Sequence, residues 1–488
     1  MASLFFGRWY EDGMEISADT CYRAVTARDA RFDGRFFTCV TSTGIYCRPV
    51  CPARTPLKRN CQFVPSAAAA QRAGFRPCLR CRPECAPGTP AWRGTGAVAG
   101  RALKLIMEGA LNDAGVDDLA ARAGLGARHL RRLVRTHTGA SPVELARVRR
   151  VLFAKRLIAE TQLPITEIAF ASGFRSVRRF NTEIQHSLGR APRDLRKARD
   201  ETPSPELILP LTYRPPYDWA GVLAFLKMRA VPGIETLGET SFSRSFVLDG
   251  ARGRFRITHE PSRRALMAAI SIDRIDRLDA LVSRLRTMFD LDSDPAAIAE
   301  AFEDDALIGW RMRAAPGIRL VQTLDPFEAG LRAIAGQQIS VKGAATILGR
   351  IAARCSGEGL LEMPGPERLL ATPLDGLGLT ASRVATFKAW AGFAAMPGTL
   401  ETLRLDPSQA EPRLQELPGF GPWTIAYLAL RGLGDSDAFP SGDLVLKRSA
   451  GLDAKTLARR AEGWRPWRAY AAQALWRVPP QDKPKGRS

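Results

Sequence analysis

Two cysteine pairs, Cys47-Arg-Pro-Val-Cys51 and Cys78-Leu-Arg-Cys81, have the spacing of metal ligands, since each pair fits one short loop and four thiolates suit tetrahedral zinc. In most proteins such a site is structural. Here the pairs sit among Arg48, Arg54, Lys58, Arg59, Arg76, Arg80 and Arg82, and positive surroundings together with a metal keep sulfur in the nucleophilic thiolate form, so a reactive role stands beside the structural one. A second constellation lies far along the chain. Leu417-Pro-Gly419-Phe-Gly421-Pro-Trp423 opens a helix expected over residues 423–430, and Pro440-Ser-Gly442-Asp443 precedes another beginning at Leu444. A glycine turn at a helix start presents free amides to an anion such as a DNA phosphate, although any helical hairpin has use for glycine. Asp443 is either a helix cap, the commonest duty of an aspartate there, or a carboxylate for chemistry. Phe225, Trp423, Tyr427 and Trp476 either line a pocket or fill a core.

Between these constellations an internal repeat is visible. Val116-Asp-Asp-Leu119-Ala120-Ala-Arg-Ala123-Gly124-Leu125 is echoed by Ile165-Thr-Glu-Ile168-Ala169-Phe-Ala-Ser172-Gly173-Phe174. Each copy has apolar residues at helical spacing, a small residue for a helix crossing, a turn glycine and then a second helix, which is helix-turn-helix grammar. Arg128, Arg131, Arg132 and Arg135 fall on one face of the first copy's second helix, while Leu130, Leu133 and Val134 point to a core. Four arginines with no acidic partner among them suit a DNA major groove better than a merely solvated face. Arg175, Arg178, Arg179 and Asn181 hold the matching places in the second copy, after a turn one residue longer, with Phe180 as core anchor. Ser141-Pro142 caps a long helix joining the repeats.

The elements that carry these residues must form several domains, because 488 residues exceed one hydrophobic core. Ordinary fractions of hydrophobic (45%) and charged (25%) residues exclude a largely disordered chain. No apolar run reaches membrane-helix length and the opening lacks a signal-peptide core, so a cytoplasmic protein without a membrane partner is expected. Eight of nine cysteines fall within the first 85 residues, which in that compartment indicates metal or thiol chemistry before disulfides. The net charge of +21 is uneven: residues 91–200 carry 21 basic and 10 acidic side chains, residues 201–488 carry 37 and 33. A basic excess so concentrated fits a polyanion as well as a solvated surface.

Residues 86–100 and 199–206, rich in Pro, Gly and small or polar residues, read as linkers, with a softer boundary near 311–324 and a Pro-rich basic tail at 479–488. The expected architecture is multidomain: a small α+β zinc domain at 1–88, an all-α double helix-turn-helix domain at 98–198, an α+β domain at 204–319 with strands near 207–211 and 255–258 and helices near 219–229 and 274–289, and an all-α domain carrying the glycine hairpin at 320–480.

TSTGIYCRPVCPAR followed by AGFRPCLRCRPE resembles the amino-terminal domain of the Ada adaptive-response regulators, and the paired helix-turn-helix resembles their AraC-type DNA-binding domain; together the resemblance spans residues 10 to about 197. It implies one zinc held by Cys47, Cys51, Cys78 and Cys81, transfer of a methyl group from a DNA methylphosphotriester to Cys47, and activation of repair genes at promoters with RNA polymerase as partner. The Pro-Cys-His-Arg motif with which that family dealkylates guanine is absent from the sequence, so direct base repair is not implied.

Residues 206–478 resemble the 3-methyladenine DNA glycosylase II (AlkA) branch of the helix-hairpin-helix glycosylases, through TYRPPYDWAGVLAFLKMRAV, RAIAGQQIS, LPGFGPWTIAYLALRG and PWRAYAAQALW. The resemblance implies hydrolysis of the N-glycosidic bond of alkylated purines, with Asp443 catalytic and Phe225, Trp423, Tyr427 and Trp476 around a flipped base. Gly419 and Gly421 would hold the DNA backbone with help from a monovalent cation. Gln338 stands where an apolar wedge is usual, and Leu444 where an aromatic residue follows the catalytic aspartate. The lyase members' lysine position is Trp423, which implies a monofunctional glycosylase. Cys355 is the only cysteine of this half, which excludes iron–sulfur ligation there. A regulator whose glycosylase half is only a damage-binding module is the competing reading; intact Asp443, Trp423 and hairpin glycines favour the enzyme.

Overall fold

The computed structural model describes residues 16–86, 97–196, 206–356 and 360–477. The linker expected at 86–100 lies outside them for residues 87–96, and its last residues open the helix Ala97–Met107. The linker at 199–206 and the tail at 479–488 lie outside apart from Glu206. Two compact units divide the chain: residues 1–214 with 262–265 and 271–283, and residues 215–261 with 266–270 and 284–488. No helix among the described residues is long and apolar enough to cross a membrane.

In the first unit, strands Phe37–Val40, Ile45–Cys47, Cys61–Val64 and Arg76–Pro77 form a sheet in which the first strand pairs antiparallel with the second and third, and the second pairs parallel with the fourth. The parallel register sets Ile45 beside Arg76 and Tyr46 beside Pro77. The next residues along the two strands are Cys47 and Cys78, so strand pairing itself brings one cysteine of each pair together. Phe37, Cys39, Tyr46 and Val64 bury one face against Ala69 and Ala70 of the helix Ala67–Arg72.

The repeats follow as helices Val116–Arg122 and Ala127–Thr138, then Ile165–Ala171 and Val177–Leu188. Leu119, Ala120 and Ala123 in one copy, and Ile168, Ala169 and Ser172 in the other, are buried at the crossings. The joining helix is Pro142–Glu160, and its cap is reciprocal: the Glu144 amide donates to Ser141 Oγ at 3.3 Å while the Ser141 amide donates to Glu144 Oε2 at 2.7 Å. The alternating segment near 207–211 is the strand Leu207–Thr212.

The second unit holds the antiparallel strands Glu235–Leu237, Ser241–Leu248 and Ala251–Glu260 and a large helical core around Leu331, Ile351, Trp390 and Leu428. A buried four-membered ion network ties the two parts together. Arg244 reaches Glu328 at 2.9 and 3.1 Å and Glu235 at 3.4 Å, while Arg332 reaches both carboxylates at 2.7 Å. Burial alone would raise the Glu328 carboxyl, but the two guanidiniums prevail and hold it down to about 2.

Candidate metal centre and active site

The four sulfurs of Cys47, Cys51, Cys78 and Cys81 all lie within 4.8 Å of one another. Thiolates about 2.3 Å from a tetrahedral zinc stand roughly 3.8 Å apart, so the donor set and its spacing fit that ion. Cys61, another cysteine of the same unit, instead directs its thiol to the Leu57 carbonyl. The Cys85 side chain lies outside what is described. Cys21 and Cys39 are core thiols that burial pushes up to about 12, which makes them inert.

The sulfurs are not equivalent. Cys81 accepts the Arg48 amide at 3.3 Å, and the amides of Ala53 and Cys81 act on Cys51 and Cys78. An N–H donor drains charge from a thiolate, and the Arg48 amide does this at Cys81. Cys47 also borders an open cavity of about 820 Å³ lined further by Arg54, Arg76, Arg80 and Arg190.

Three other basic neighbours, Arg48, Lys58 and Arg82, form ion pairs instead. Arg48 pairs with Asp33 and donates to the Cys81 carbonyl, Lys58 pairs with Asp19, and Arg82 pairs with Glu84 and Glu160. Lys155, from the helix joining the repeats, reaches Glu84 at 2.5 Å and the Cys78 carbonyl at 3.4 Å. Sequence reasoning passed over it; the available signal was the pair Lys155-Arg156 set between the apolar runs 151–154 and 157–159.

Arg128, Arg131, Arg132 and Arg135 are all exposed along Ala127–Thr138, with Leu130 and Val134 fully buried behind them. Arg178 and Arg179 are exposed at the start of the helix Val177–Leu188, and Arg175, exposed in the turn before it, donates to the Asp113 carbonyl at 2.9 Å.

In the second unit the glycine hairpin separates the helices Ala410–Leu414 and Pro422–Leu428. Gly419 has φ +78, and a Cβ there would lie 2.5 Å from Thr386 Oγ1, so both conformation and packing demand glycine. Gly421 differs, because a Cβ there would meet only open space. Packing within the protein therefore does not require glycine at this position. Gln337 pins the neighbouring loop to the hairpin by donating to the Gly419 carbonyl at 2.8 Å and to Thr424 Oγ1 at 3.0 Å, a tie the sequence did not suggest. Gln338, next to it, is exposed at φ +57.

Asp443 caps the helix Leu444–Ala450, with Oδ1 accepting the amides of Val445 at 2.9 Å and Leu446 at 3.0 Å. It also receives two indole N–H groups, Trp423 on Oδ2 at 3.0 Å and Trp476 on Oδ1 at 3.1 Å. The two readings of this aspartate are thus compatible, since the cap fixes the carboxylate that faces the rings. Trp423 stacks on Tyr427 with centroids 5.3 Å apart, Tyr427 meets Trp476 edge-on at 6.3 Å, and Trp476 lies 6.3 Å from Phe225. Trp423, Tyr427 and Trp476 are half-buried and Phe225 is buried. The helix Pro422–Leu428 ends in a wider turn, Ala429–Leu433, rather than running straight to Leu430. Asp218, which caps the helix bearing Phe225, pairs with Arg477, the residue after Trp476.

Residues 20–84 match the metal binding domain of Ada, residues 119–198 a helix-turn-helix domain, and residues 208–325 the AlkA N-terminal domain. A probable bifunctional transcriptional activator/DNA repair enzyme AlkA from Mycobacterium tuberculosis is 38% identical over 96% of this chain and 100% of its own. DNA-3-methyladenine glycosylase 2 from Escherichia coli is 35% identical over 54% of this chain and 95% of its own. The regulatory protein Ada of Salmonella typhimurium is 33% identical over 37% of this chain and 50% of its own.

Proposed function

The chain belongs to the family of bifunctional transcriptional activator/DNA repair enzymes AlkA, and on that premise we propose how its residues divide the work. It is a DNA repair and adaptive-response protein: it hydrolyses the N-glycosidic bond of alkylated purines in DNA, and it accepts methyl groups from methylphosphotriesters to activate transcription.

Asp443 is the catalytic carboxylate of the glycosylase. As the C1′–N bond of a flipped alkylpurine breaks, its electron pair goes to the base and positive charge develops on the sugar. Asp443 stabilises that charge and orients the water that attacks C1′. Trp423, Tyr427 and Trp476, with Phe225 behind, hold the base, and a cationic purine gains about 0.5–2 kcal/mol on each indole face. Gly419 and Gly421 hold the DNA backbone with a monovalent cation, and Gln338 reaches the duplex. The observation that carries this reading is the pair of indole donors on Asp443, which joins carboxylate and rings in one site.

In the first unit, Cys47 is the methyl acceptor. Zinc supplies a centre that keeps the four sulfurs as thiolates. The Cys47 sulfur attacks the methyl carbon, the carbon–oxygen bond breaks, and its electron pair leaves with the phosphate oxygen as a diester anion. Arg128, Arg131, Arg132, Arg135, Arg175, Arg178 and Arg179 bind promoter DNA, and the methylated protein acts on RNA polymerase in the nucleoid of the cytoplasm.

The test is to incubate the protein with methylated duplex DNA. Release of alkylpurine without strand scission, together with one added methyl located on Cys47 by mass spectrometry, is expected. Intact alkylpurines, a borohydride-trapped covalent adduct, or a methyl group on another residue contradicts the assignment.

A further inference from the structure

Arg431 lies in the turn Ala429–Leu433 and is 2% exposed, yet its Nε and Nη1 reach no hydrogen-bond partner among the described residues. Its Cζ stands 4.4 Å from the Phe225 ring centroid, and that of Arg229 stands 3.7 Å from it. The nearby carboxylates are committed elsewhere, since Glu235 and Glu328 are each engaged by both Arg244 and Arg332. Burial draws Arg431 down to about 10, which leaves it charged at neutral pH. Burial would raise the Tyr427 phenol, but Arg431, Arg229 and Arg332, together with a hydrogen bond from Arg229, outweigh it and lower it. Phe225 in turn lies 6.3 Å from the Trp476 ring, and Asp443 is bonded to the indoles of Trp476 and Trp423. A run of contacts thus leads from the buried guanidinium through Phe225 and Trp476 to the carboxylate.

We propose that Arg431 is the positive end of a fixed field across the base pocket, which draws the electron pair of the breaking glycosidic bond into the base. The inference rests on reading the four rings as that pocket. When the C1′–N bond of a cationic alkylpurine breaks, the pair stays with the base, which becomes neutral, and positive charge passes to the sugar. Water oxygen then bonds to C1′ and the water's proton leaves through Asp443 to solvent. Charge thus moves from the Arg431 side to the Asp443 side. A guanidinium there opposes the bound cation and ceases to oppose it as the charge departs, so it acts on the step more than on binding. Arg431 is in this sense a positioning residue for charge, acting through Phe225 and Tyr427.

The experiment uses the full-length protein and two duplexes, one holding a single 7-methylguanine and one an uncharged abasic analogue. Wild type is compared with Arg431→Gln, Arg431→Met and Arg431→Lys, with folding followed by thermal melting. Either neutral variant, if folded, is expected to lower single-turnover base release at saturating protein by about tenfold or more. Its half-saturating concentration for the methylguanine duplex should stay level or fall, and its affinity for the abasic duplex should not move. Arg431→Lys should restore most of the rate, and should be the folded variant if both neutral ones melt. Wild-type release by a folded neutral variant, a loss that lysine does not restore, or a loss carried by weaker binding of both duplexes overturns the proposal. Wild-type protein that releases no methylguanine would overturn the pocket reading itself.

Discussion

The indole of Trp423 donates to Oδ2 of Asp443 at 3.0 Å, across the hairpin helix and the loop that separate them. Trp423 therefore has two duties: one face stacks on Tyr427 and its N–H orients the carboxylate. Trp423→Phe keeps a ring and removes the N–H, and a charge-assisted bond of this kind contributes about 1.5–3 kcal/mol. Single-turnover base release is expected to fall roughly tenfold or more with little change in lesion affinity. Equal loss in rate and affinity would show that the ring alone mattered.

One zinc per chain is expected, and a Cys78→Ser, Cys81→Ser double variant should lose it while Cys61→Ser retains it. Elemental analysis decides this, and full zinc in the double variant would rule out the ligand set.

Glu328 at the centre of the buried ion network should be costly to neutralise. Glu328→Gln leaves Arg244 and Arg332 under-compensated, at a cost of about 3–5 kcal/mol, measurable as the shift of a urea unfolding midpoint. Because its folded-state pKa of about 2 lies below the ordinary glutamate value of 4.5, the carboxylate's contribution is complete above pH 4.5 and is lost as pH falls toward 2. The difference between wild type and Glu328→Gln should shrink through that window.

How much of this was legible in sequence depends on whether position or partnership was asked for. Cys47, Cys51, Cys78 and Cys81 were visible because metal spacing is local, and their grouping needs only one parallel strand register. The arginine face of Ala127–Thr138 was equally visible, because helical periodicity alone puts Leu130 and Val134 on the other side. Asp443 could be found, but not its two indole donors, one of which comes from Trp476 on a separate helix. Arg431 and Gln337 were missed because their meaning lies in what surrounds them. A lone arginine in the apolar run Leu428-Ala-Leu-Arg431-Gly-Leu433 was the available signal for the first. Cys85 could not be separated from the ligand set by spacing, and its side chain is not described.

Methylation of Cys47 turns a thiolate into a neutral thioether, so the formal charge of a zinc centre with four thiolates falls from two minus to one minus. Less repulsion toward DNA phosphates should tighten promoter binding by a factor of about 5 to 150, and more so at low salt than at high salt. Affinities of unmodified and methylated protein across a salt series test this, and equal affinities throughout would contradict it. Arg131→Ala with Arg132→Ala should weaken both forms alike and reduce the salt slope by about 2.

The central claim is that the charge of Asp443 drives base release, and Asp443→Asn tests it most directly, because the amide keeps the cap acceptor and the shape while removing the charge. Single-turnover release of alkylpurine from a duplex bearing one lesion, measured with matched lesion affinity and thermal melting, should fall by about a hundredfold or more, with binding and fold retained. Release at the wild-type rate by a folded Asp443→Asn protein would contradict the account.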